Sequence, residues 1–219
     1  MIRICVFIFL HTISFESFTQ GISTRTFDSL SIVKQHKELH ELFGFNKLLI
    51  KELEYSSLIA LSFFNELDST RIEFRKKSIK TTLNVRPTVS SLFFRKKAKR
   101  KYIIRINDNV NTPDITVDEV PFNAQIGLLG HEFCHIVDYQ SRNFFQVIGR
   151  LFSYTSKKSK ERFEKEIDQL TISKGLGWQL YDWSYYVLHT SDATNEYKNF
   201  KKQIYLEPDE IISIIEFSH

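Results

Sequence analysis

Two histidines and a glutamate lie within five residues of one another in the apolar stretch "GLLGHEFCHIVDY", residues 127–139. His131 and His135 are four residues apart, which on an α-helix separates them by about 40° in azimuth and about 6 Å along the axis. Both imidazoles could therefore bind one ion. Glu132 lies about 100° round the helix from His131, where it could address a water beside the ion. This spacing predicts a zinc site with a general base next to it.

The chemistry of such a site is hydrolysis. Zinc lowers the pKa of a bound water towards about 7, and a glutamate in the position of Glu132 would take its proton and pass it to a leaving amine. The competing interpretation is a buried helix that carries imidazoles without a metal. Burying these polar groups would cost several kcal/mol unless each found a partner, which favours coordination.

A catalytic zinc ion usually takes a third protein ligand. A metzincin continuation needs Gly and His at the third and sixth residues after His135, but Asp138 and Ser141 stand there, which excludes that subclass. The helical pattern "SKERFEKEIDQLTISKGLG" offers Glu164 and Asp168, four apart and so on one face. Glu164 would complete the metal triad, and Asp168 would hydrogen-bond the distal nitrogen of a zinc-binding histidine.

Other acidic residues remain alternatives for the third ligand. Glu161 and Glu166 share the helix of Glu164, but neither is followed by an acidic residue four positions later, and Asp138 follows the histidine motif. Salt bridges to the many neighbouring lysines would explain any of these acidic residues without a metal.

His131-Glu132-x-x-His135 followed by Glu164-x-x-x-Asp168 resembles the gluzincin class of zinc metallopeptidases, in particular the compact minigluzincins. The resemblance covers about residues 45–190. It implies a zincin-like fold and a hydrolase of peptide bonds. It further implies that the strand "KYIIRIN" is an edge strand above the cleft, which would bind an extended substrate by strand addition.

The remaining pattern predicts an α+β fold. Helical periodicity runs from about Ile32 to Phe64 with a break near Gly44, and strand-like runs follow in "RIEFRKK", "TTLNVRPTVSSLFF" and "KYIIRIN". A helix should begin close to Pro121, and further helical segments should follow it, one of them ending at Gly175 or Gly177. We therefore expect a small mixed or antiparallel sheet packed on the helix that carries the histidines.

Several further residues could belong to the site. Donors that could stabilise an oxyanion beside zinc are Tyr139, Tyr185, His189 and Tyr205, and the sequence offers no ground for choosing among them. Cys134 should pack into the core. We expect core packing also for the aromatic cluster of residues 177–188, and a solvated helix face for His36 and His40.

The first twenty residues have the pattern of a signal peptide: Arg3, an apolar stretch from Ile4 to Leu10, then small polar residues. We therefore expect residues 1–20 to be a leader and residues 21–219 to form a single metallopeptidase domain, exported to the periplasm or secreted. An uncleaved leader acting as a membrane anchor is the alternative. With Cys5 in the leader, Cys134 would be the only cysteine of the mature chain.

The net charge of +4 is modest, and the basic runs "RKKAKRK" and "KKSK" favour solvated loops over a nucleic-acid or anionic-surface site. We expect a peptide or protein substrate, no nucleic-acid partner and no stable membrane span in the mature chain; the oligomeric state is open. The leading hypothesis is a zinc peptidase. The alternative is a zinc-stabilised binding or regulatory domain without hydrolytic activity.

Overall fold

A computed structural model describes residues 24–29, 35–108 and 115–217 of the chain. The expected leader, residues 1–20, lies outside the described residues. The α-helices are α1 (His36–Phe43), α2 (Glu54–Leu61), α3 (Val89–Phe94), α4 (Phe122–Ser141), α5 (Phe144–Phe152), α6 (Lys157–Thr171), α7 (Gly177–Tyr185), α8 (Asn195–Ile204) and α9 (Pro208–Phe217). The strands are β1 (Lys47–Leu48), β2 (Arg71–Lys76), β3 (Leu83–Pro87) and β4 (Lys101–Ile106).

Within the described residues, the strands form one four-stranded sheet in the order β1-β2-β4-β3. Strand β2 runs parallel to both β1 and β4, whereas β3 runs antiparallel to β4. Every second residue of β4 is fully buried, namely Tyr102, Ile104 and Ile106. The α+β class expected from the sequence is confirmed, and the sheet is mixed.

The expectation that "KYIIRIN" forms the edge strand is wrong. Strand β4 lies between β2 and β3 and pairs with both of them. The edge strands are β1 and β3, and the second side of β3 pairs with no strand in the described part of the chain. Pro87 at the end of β3 was the relevant signal, because proline lacks a backbone N–H and is confined to edge positions of a sheet.

The strand expected over "TTLNVRPTVSSLFF" is also shorter than predicted. It ends at Pro87, and α3 begins at Val89. Thr88 caps this helix, since its side chain accepts a hydrogen bond from the backbone N–H of Ser91. The basic run from Arg95 to Lys101 therefore lies between a helix and β4 and not at a tight hairpin turn.

Helix α4 is the central element of the fold. It starts directly after Pro121, as expected, and contacts α2, α6, α7 and β3. Its close approach to α7 requires Gly127, because a Cβ atom at that position would lie 2.1 Å from the carbonyl oxygen of Gln179. The backbones of α4 and α7 are thus in direct contact, and the position of α4 is closely defined.

A short π-helical segment, Ile172–Leu176, joins α6 to α7. Gly175 within it has a φ of 89°, in the left-handed region that glycine adopts without strain. The chain therefore changes direction here, close to the predicted helix end. No helix in the described ranges is both long enough and apolar enough to cross a membrane.

Candidate metal centre

The two histidines of α4 converge as their spacing predicts. Nε2 of His131 and Nε2 of His135 lie 3.2 Å apart, and both side chains are buried. The imidazole of His135 is held by aromatic packing, with the rings of Phe163 and Tyr139 at 5.1 and 6.1 Å between centroids. Each histidine therefore aims the same nitrogen at one point.

Glu164 on α6 brings a carboxylate oxygen to that point. Its Oε2 lies 3.1 Å from Nε2 of His131 and 3.2 Å from Nε2 of His135. Ligands bound tetrahedrally to zinc at about 2.0–2.1 Å are separated by about 3.4 Å from one another. The three atoms thus form a nearly equilateral triangle of the size that one metal ion requires. In the described part of the chain, they are the group that could hold a metal ion.

Asp168 orients the first histidine. Its Oδ1 lies 2.8 Å from Nδ1 of His131, and its Oδ2 accepts a hydrogen bond of 2.9 Å from the backbone N–H of Leu206. The carboxylate therefore holds the proton of His131 on Nδ1 and leaves Nε2 free to coordinate. It also ties the segment after α8 to the metal centre.

Glu132 lies beside the triangle and does not belong to it. Its side chain is buried, and its Oε2 has no hydrogen-bond partner among the described residues. Burial raises the pKa of this carboxyl group, with His135 and His131 opposing the shift. A buried acceptor without a protein partner is expected to bind a water or substrate group.

Opposite charges at the triangle attract one another and shift the pKa values of Glu164 and His131. Burial alone would raise the pKa of Glu164, but the attraction of His135 and hydrogen bonds from both imidazoles hold it well below its usual range. Burial alone would lower the pKa of His131, but hydrogen bonds to Asp168 and Glu164 raise it to about 10. Glu164 is therefore an anionic ligand, and a cation placed at the triangle would displace a proton from His131.

Two cavities meet at His131 and Glu132. The first is mainly apolar. The second has a volume of about 510 Å³ and includes both histidines, Glu164 and the edge strand β3. The apolar walls of the first cavity are Leu83, Leu128, Leu180, Trp183, Val187, Leu188 and Leu206. The polar walls of the second include Asn84, Arg86, Tyr154, Lys160 and Tyr205.

The acidic alternatives to Glu164 point elsewhere. Asp138 pairs with Arg142 at 2.8 Å, and Glu166 pairs with Arg150 at 2.7 Å. Glu161 lies 3.7 Å from Lys165 on the same helix. These residues form surface ion pairs, as lysine- and arginine-rich helices ordinarily do, and the structure brings only Glu164 of this group to the histidines.

Among the candidate oxyanion donors, Tyr205 lies at the site. It borders both cavities, and its ring centroid is 5.6 Å from that of His131. Tyr139 packs behind His135, and Tyr185 pairs with His189 at 4.7 Å between ring centroids; none of these three borders either cavity. Tyr154 borders the second cavity as well, although no motif in the sequence indicated it.

Other sequence expectations concern residues near the site. Cys134 is fully buried in the core, and burial raises its thiol pKa to about 12. In the aromatic cluster of residues 177–188, Trp183 is buried and Trp178, Tyr181 and Tyr186 pack against the core, but Tyr185 is 46% exposed, so the expected core packing holds only in part. Trp183 and Leu180 also form a wall of the apolar cavity. His36 and His40 lie together on partly exposed α1, with Glu54 3.2 Å from His36.

No protein-family model matches the chain, and no curated protein or solved structure matches it either. The function must therefore be inferred from the geometry of the site.

Proposed function

We propose that this protein is a zinc-dependent peptidase. The observation that carries the proposal is the triangle of His131, His135 and Glu164, with the unpartnered carboxylate of Glu132 beside it. Two imidazoles and one carboxylate form a typical ligand set of hydrolytic zinc sites. Two cavities open beside the triangle, so a fourth position remains for a reacting group.

Zinc bound at this triangle would activate a water and polarise a carbonyl group. The raised pKa of Glu132 makes this residue a stronger base than an exposed carboxylate, which suits it to accept a proton and return it to the leaving amine. Asp168 keeps His131 in the tautomer that leaves Nε2 free. The residues of the chain thus supply the base, the ligands and the orientation of one ligand.

Edge strand β3 is the proposed binding strand for the peptide backbone. Its residues Leu83, Asn84, Val85 and Arg86 border the cavity that contains the histidines. An extended peptide can add to an unpaired strand edge through main-chain hydrogen bonds, which need no particular side chains. This role was first expected for β4, whose edges are both paired.

Tyr205 is the proposed oxyanion donor. Its phenol borders both cavities, and burial, followed by the charge of Glu164, raises its pKa well above the usual value. The phenol therefore keeps its proton at neutral pH and can donate a hydrogen bond to developing negative charge.

The apolar cavity suggests a substrate preference. Glu132 returns its proton to the leaving nitrogen, so the residue that carries this nitrogen should lie on the side of Glu132. Glu132 borders both cavities, and most of β3, the proposed binding strand, lines the second of them; the apolar cavity, with Leu128, Leu180 and Trp183, is therefore left for the side chain of that residue. We therefore propose cleavage before an apolar residue.

The test combines zinc analysis with peptide cleavage. We expect about one zinc per chain and cleavage of a mixed peptide library, with apolar residues enriched after the cleaved bond. Glu132→Gln should retain zinc and lose about 10²–10⁴-fold in rate. Glu66→Gln, which alters a surface carboxylate paired with Lys174, is the matched control and should cleave normally.

The outcomes separate the two halves of the proposal. Absence of zinc would refute the metal centre. Stoichiometric zinc with no cleavage of any peptide would instead support a zinc-stabilised binding or regulatory domain. That second candidate is favoured by one observation, the burial of all three ligand side chains together with Glu132.

A further inference from the structure

Helices α3 and α5 expose large apolar side chains. Phe94 is 87% exposed and Phe145 is 80% exposed. The two helices are neighbours, because the rings of Phe93 and Phe144 lie 4.7 Å apart between centroids. The exposed apolar side chains of the two helices are Val89, Phe93, Phe94, Phe145 and Phe152. Contiguous exposed apolar surface on a folded protein usually marks an interaction site.

Basic side chains accompany these phenylalanines. Arg95, Lys96, Lys97 and Lys99 follow α3 directly, and none of them forms an ion pair within the described residues. The Nζ atom of Lys97 donates to the carbonyl oxygen of Ser141 at 2.9 Å, which places the run next to the start of α5. We call these four residues and the five exposed apolar residues the basic aromatic face.

No acidic residue counters this charge from the same segments. Residues 89–101 and 142–160 contain no aspartate or glutamate. The nearest carboxylate on α4, Asp138, is itself neutralised by Arg142 and Arg150 at 2.8 and 3.2 Å. The face therefore presents a positive field and complements a negatively charged partner.

A cleft of about 690 Å³ adjoins the face. Arg71, Arg95 and Lys99 border it together with the hydroxyl-bearing residues Thr88, Ser90 and Ser91, and no carboxylate does so. Phosphate oxygens accept hydrogen bonds from guanidinium, ammonium and hydroxyl groups. The cleft has the chemistry of an oxyanion site, and it shares Arg95 and Lys99 with the face.

We propose that the basic aromatic face binds the surface of a membrane that contains anionic phospholipids. The phenylalanines would insert at the level of the headgroups, the basic side chains would contact anionic lipids, and the cleft would take one headgroup phosphate. Protruding rings beside unpaired cations are the pattern of interfacial binding.

Single-stranded nucleic acid is also negatively charged, but it is a less suitable partner for the basic aromatic face. Base stacking requires free ring faces along a track. Phe94 and Phe145 expose their rings, but Phe93 packs against Phe144, and Phe144 contacts Phe145 edge to face at 5.3 Å, so the rings do not follow one another along a track. The rings thus form an apolar cluster, extended by the aliphatic Val89, which suits lipid better than bases.

The test measures cosedimentation of the full chain with vesicles of phosphatidylcholine alone or mixed with phosphatidylserine. We expect binding to the anionic vesicles that weakens with salt. Phe94→Ser with Phe145→Ser should reduce the partition coefficient by at least about ten-fold. Phe217→Ser, which alters a 91% exposed phenylalanine on α9, is the control and should bind like the parent.

A charge pair of variants tests the cationic contribution. Lys96→Gln with Lys99→Gln should weaken binding by about five-fold for each lysine. The control, Lys77→Gln with Lys80→Gln, removes two exposed lysines that follow β2, at the opposite end of this strand from Arg71, and should have little effect. Residues 1–20 are present in every variant, so any contribution of theirs to vesicle binding is constant.

Three outcomes would overturn the proposal. The first is equal binding of the parent and the phenylalanine variant to anionic vesicles. The second is binding of inorganic phosphate at the cleft without binding to vesicles, which would leave a small-anion site only. The third is capture of a single-stranded oligonucleotide in preference to anionic vesicles. Because Phe94 and Phe145 are exposed, their serine variants should keep the thermal stability of the parent, and a melting curve checks this.

Discussion

The metal centre and the basic aromatic face depart in opposite directions from the usual distribution of residues. At the metal centre, side chains that proteins normally expose are buried, whereas at the face phenylalanines that proteins normally bury are exposed. The buried polar groups find most of their partners within the chain, at distances near 3 Å. The exposed phenylalanine rings have few contacts with other side chains of the described residues. The first departure indicates a small ligand held by the protein, and the second indicates a large partner outside it.

The two regions should also differ in their sensitivity to substitution. At the metal centre, each contact is a single pair of atoms with a fixed geometry, so one isosteric change should abolish the function. At the face, affinity is a sum over many weak contributions. Single substitutions there should act mildly, and this contrast orders the predictions below from the largest expected effect to the smallest.

Glu164→Gln should break the metal centre. The amide keeps the shape of the side chain but removes the negative charge that faces two imidazoles at 3.1 and 3.2 Å. We expect zinc affinity to fall by at least about a thousand-fold, because removing one charged partner from a buried group of ions costs several kcal/mol. Titration against a competing chelator measures the loss. Glu161→Gln, on the exposed side of the same helix, should bind zinc like the parent; a similar loss in both variants would argue against the triangle.

Gly127→Ala should destabilise the whole centre through the backbone. The added methyl group would lie 2.1 Å from the carbonyl oxygen of Gln179, so α4 and α7 would have to move apart. We expect a loss of about 3 kcal/mol in the free energy of unfolding, at the upper end for overpacking because the obstacle is backbone. Urea denaturation measures it. An unchanged midpoint would contradict the direct backbone contact between the two helices.

Asp168→Asn should weaken zinc binding by about 10–100-fold. Asp168 accepts from Nδ1 of His131 and from the backbone N–H of Leu206. Asparagine has only one oxygen, so its amide nitrogen would face one of these donors. Chelator competition gives the affinity, and Asp182→Asn, in a surface pair with Arg25, serves as the control. Equal affinities in the two variants would show that His131 needs no orientation.

The affinity for zinc should rise about ten-fold per pH unit between about pH 6 and 8. Without an ion, hydrogen bonds to Asp168 and Glu164 outweigh the effect of burial and raise the pKa of His131 to about 10, so binding must expel its proton in this range. The conformational stability of the zinc-free protein should change with pH in the opposite direction. The contacts of protonated His131 with Asp168 and Glu164 contribute their full stabilisation to the folded state below the unfolded pKa of 6.5. This contribution is lost as the pH rises through about 10. Calorimetry in buffers of different ionisation enthalpy measures the released proton, and a pH-independent affinity would contradict this assignment.

The convergence of the candidate metal ligands could be predicted from the sequence better than their surroundings, for a physical reason. The spacing of His131 and His135 and that of Glu164 and Asp168 are local, and a helix converts such spacing directly into a shared face. Which strand forms the edge depends on pairing between distant segments, so the edge was assigned to the wrong strand. Pro87 indicated the correct one. Tyr154 and Arg86 border the site from elements far away in sequence, and no local pattern links them to it.

The basic aromatic face also depends on contacts between distant segments, which local sequence patterns do not reveal. The basic run predicts a solvated loop, and residues 95–99 are exposed as expected, but the run itself does not indicate which aromatic side chains lie beside it. The helical pattern of "NFFQVIGRLF" could equally have belonged to the core, because periodicity does not reveal whether a second element covers the apolar side. Only the folded chain brings Phe93 to Phe144 and leaves Phe94 and Phe145 exposed.

Gly149→Ala should have the smallest effect and the opposite sign to Gly127→Ala. Gly149 lies inside α5, and a Cβ atom there would meet no atom within 4 Å. Alanine loses less conformational entropy than glycine on forming a helix, so we expect the free energy of unfolding to increase by about 0.5–1 kcal/mol. Urea denaturation of both variants in parallel compares the two helices directly. A destabilising Gly149→Ala would mean that another part of the chain covers α5, and the exposure on which the basic aromatic face depends would then be wrong.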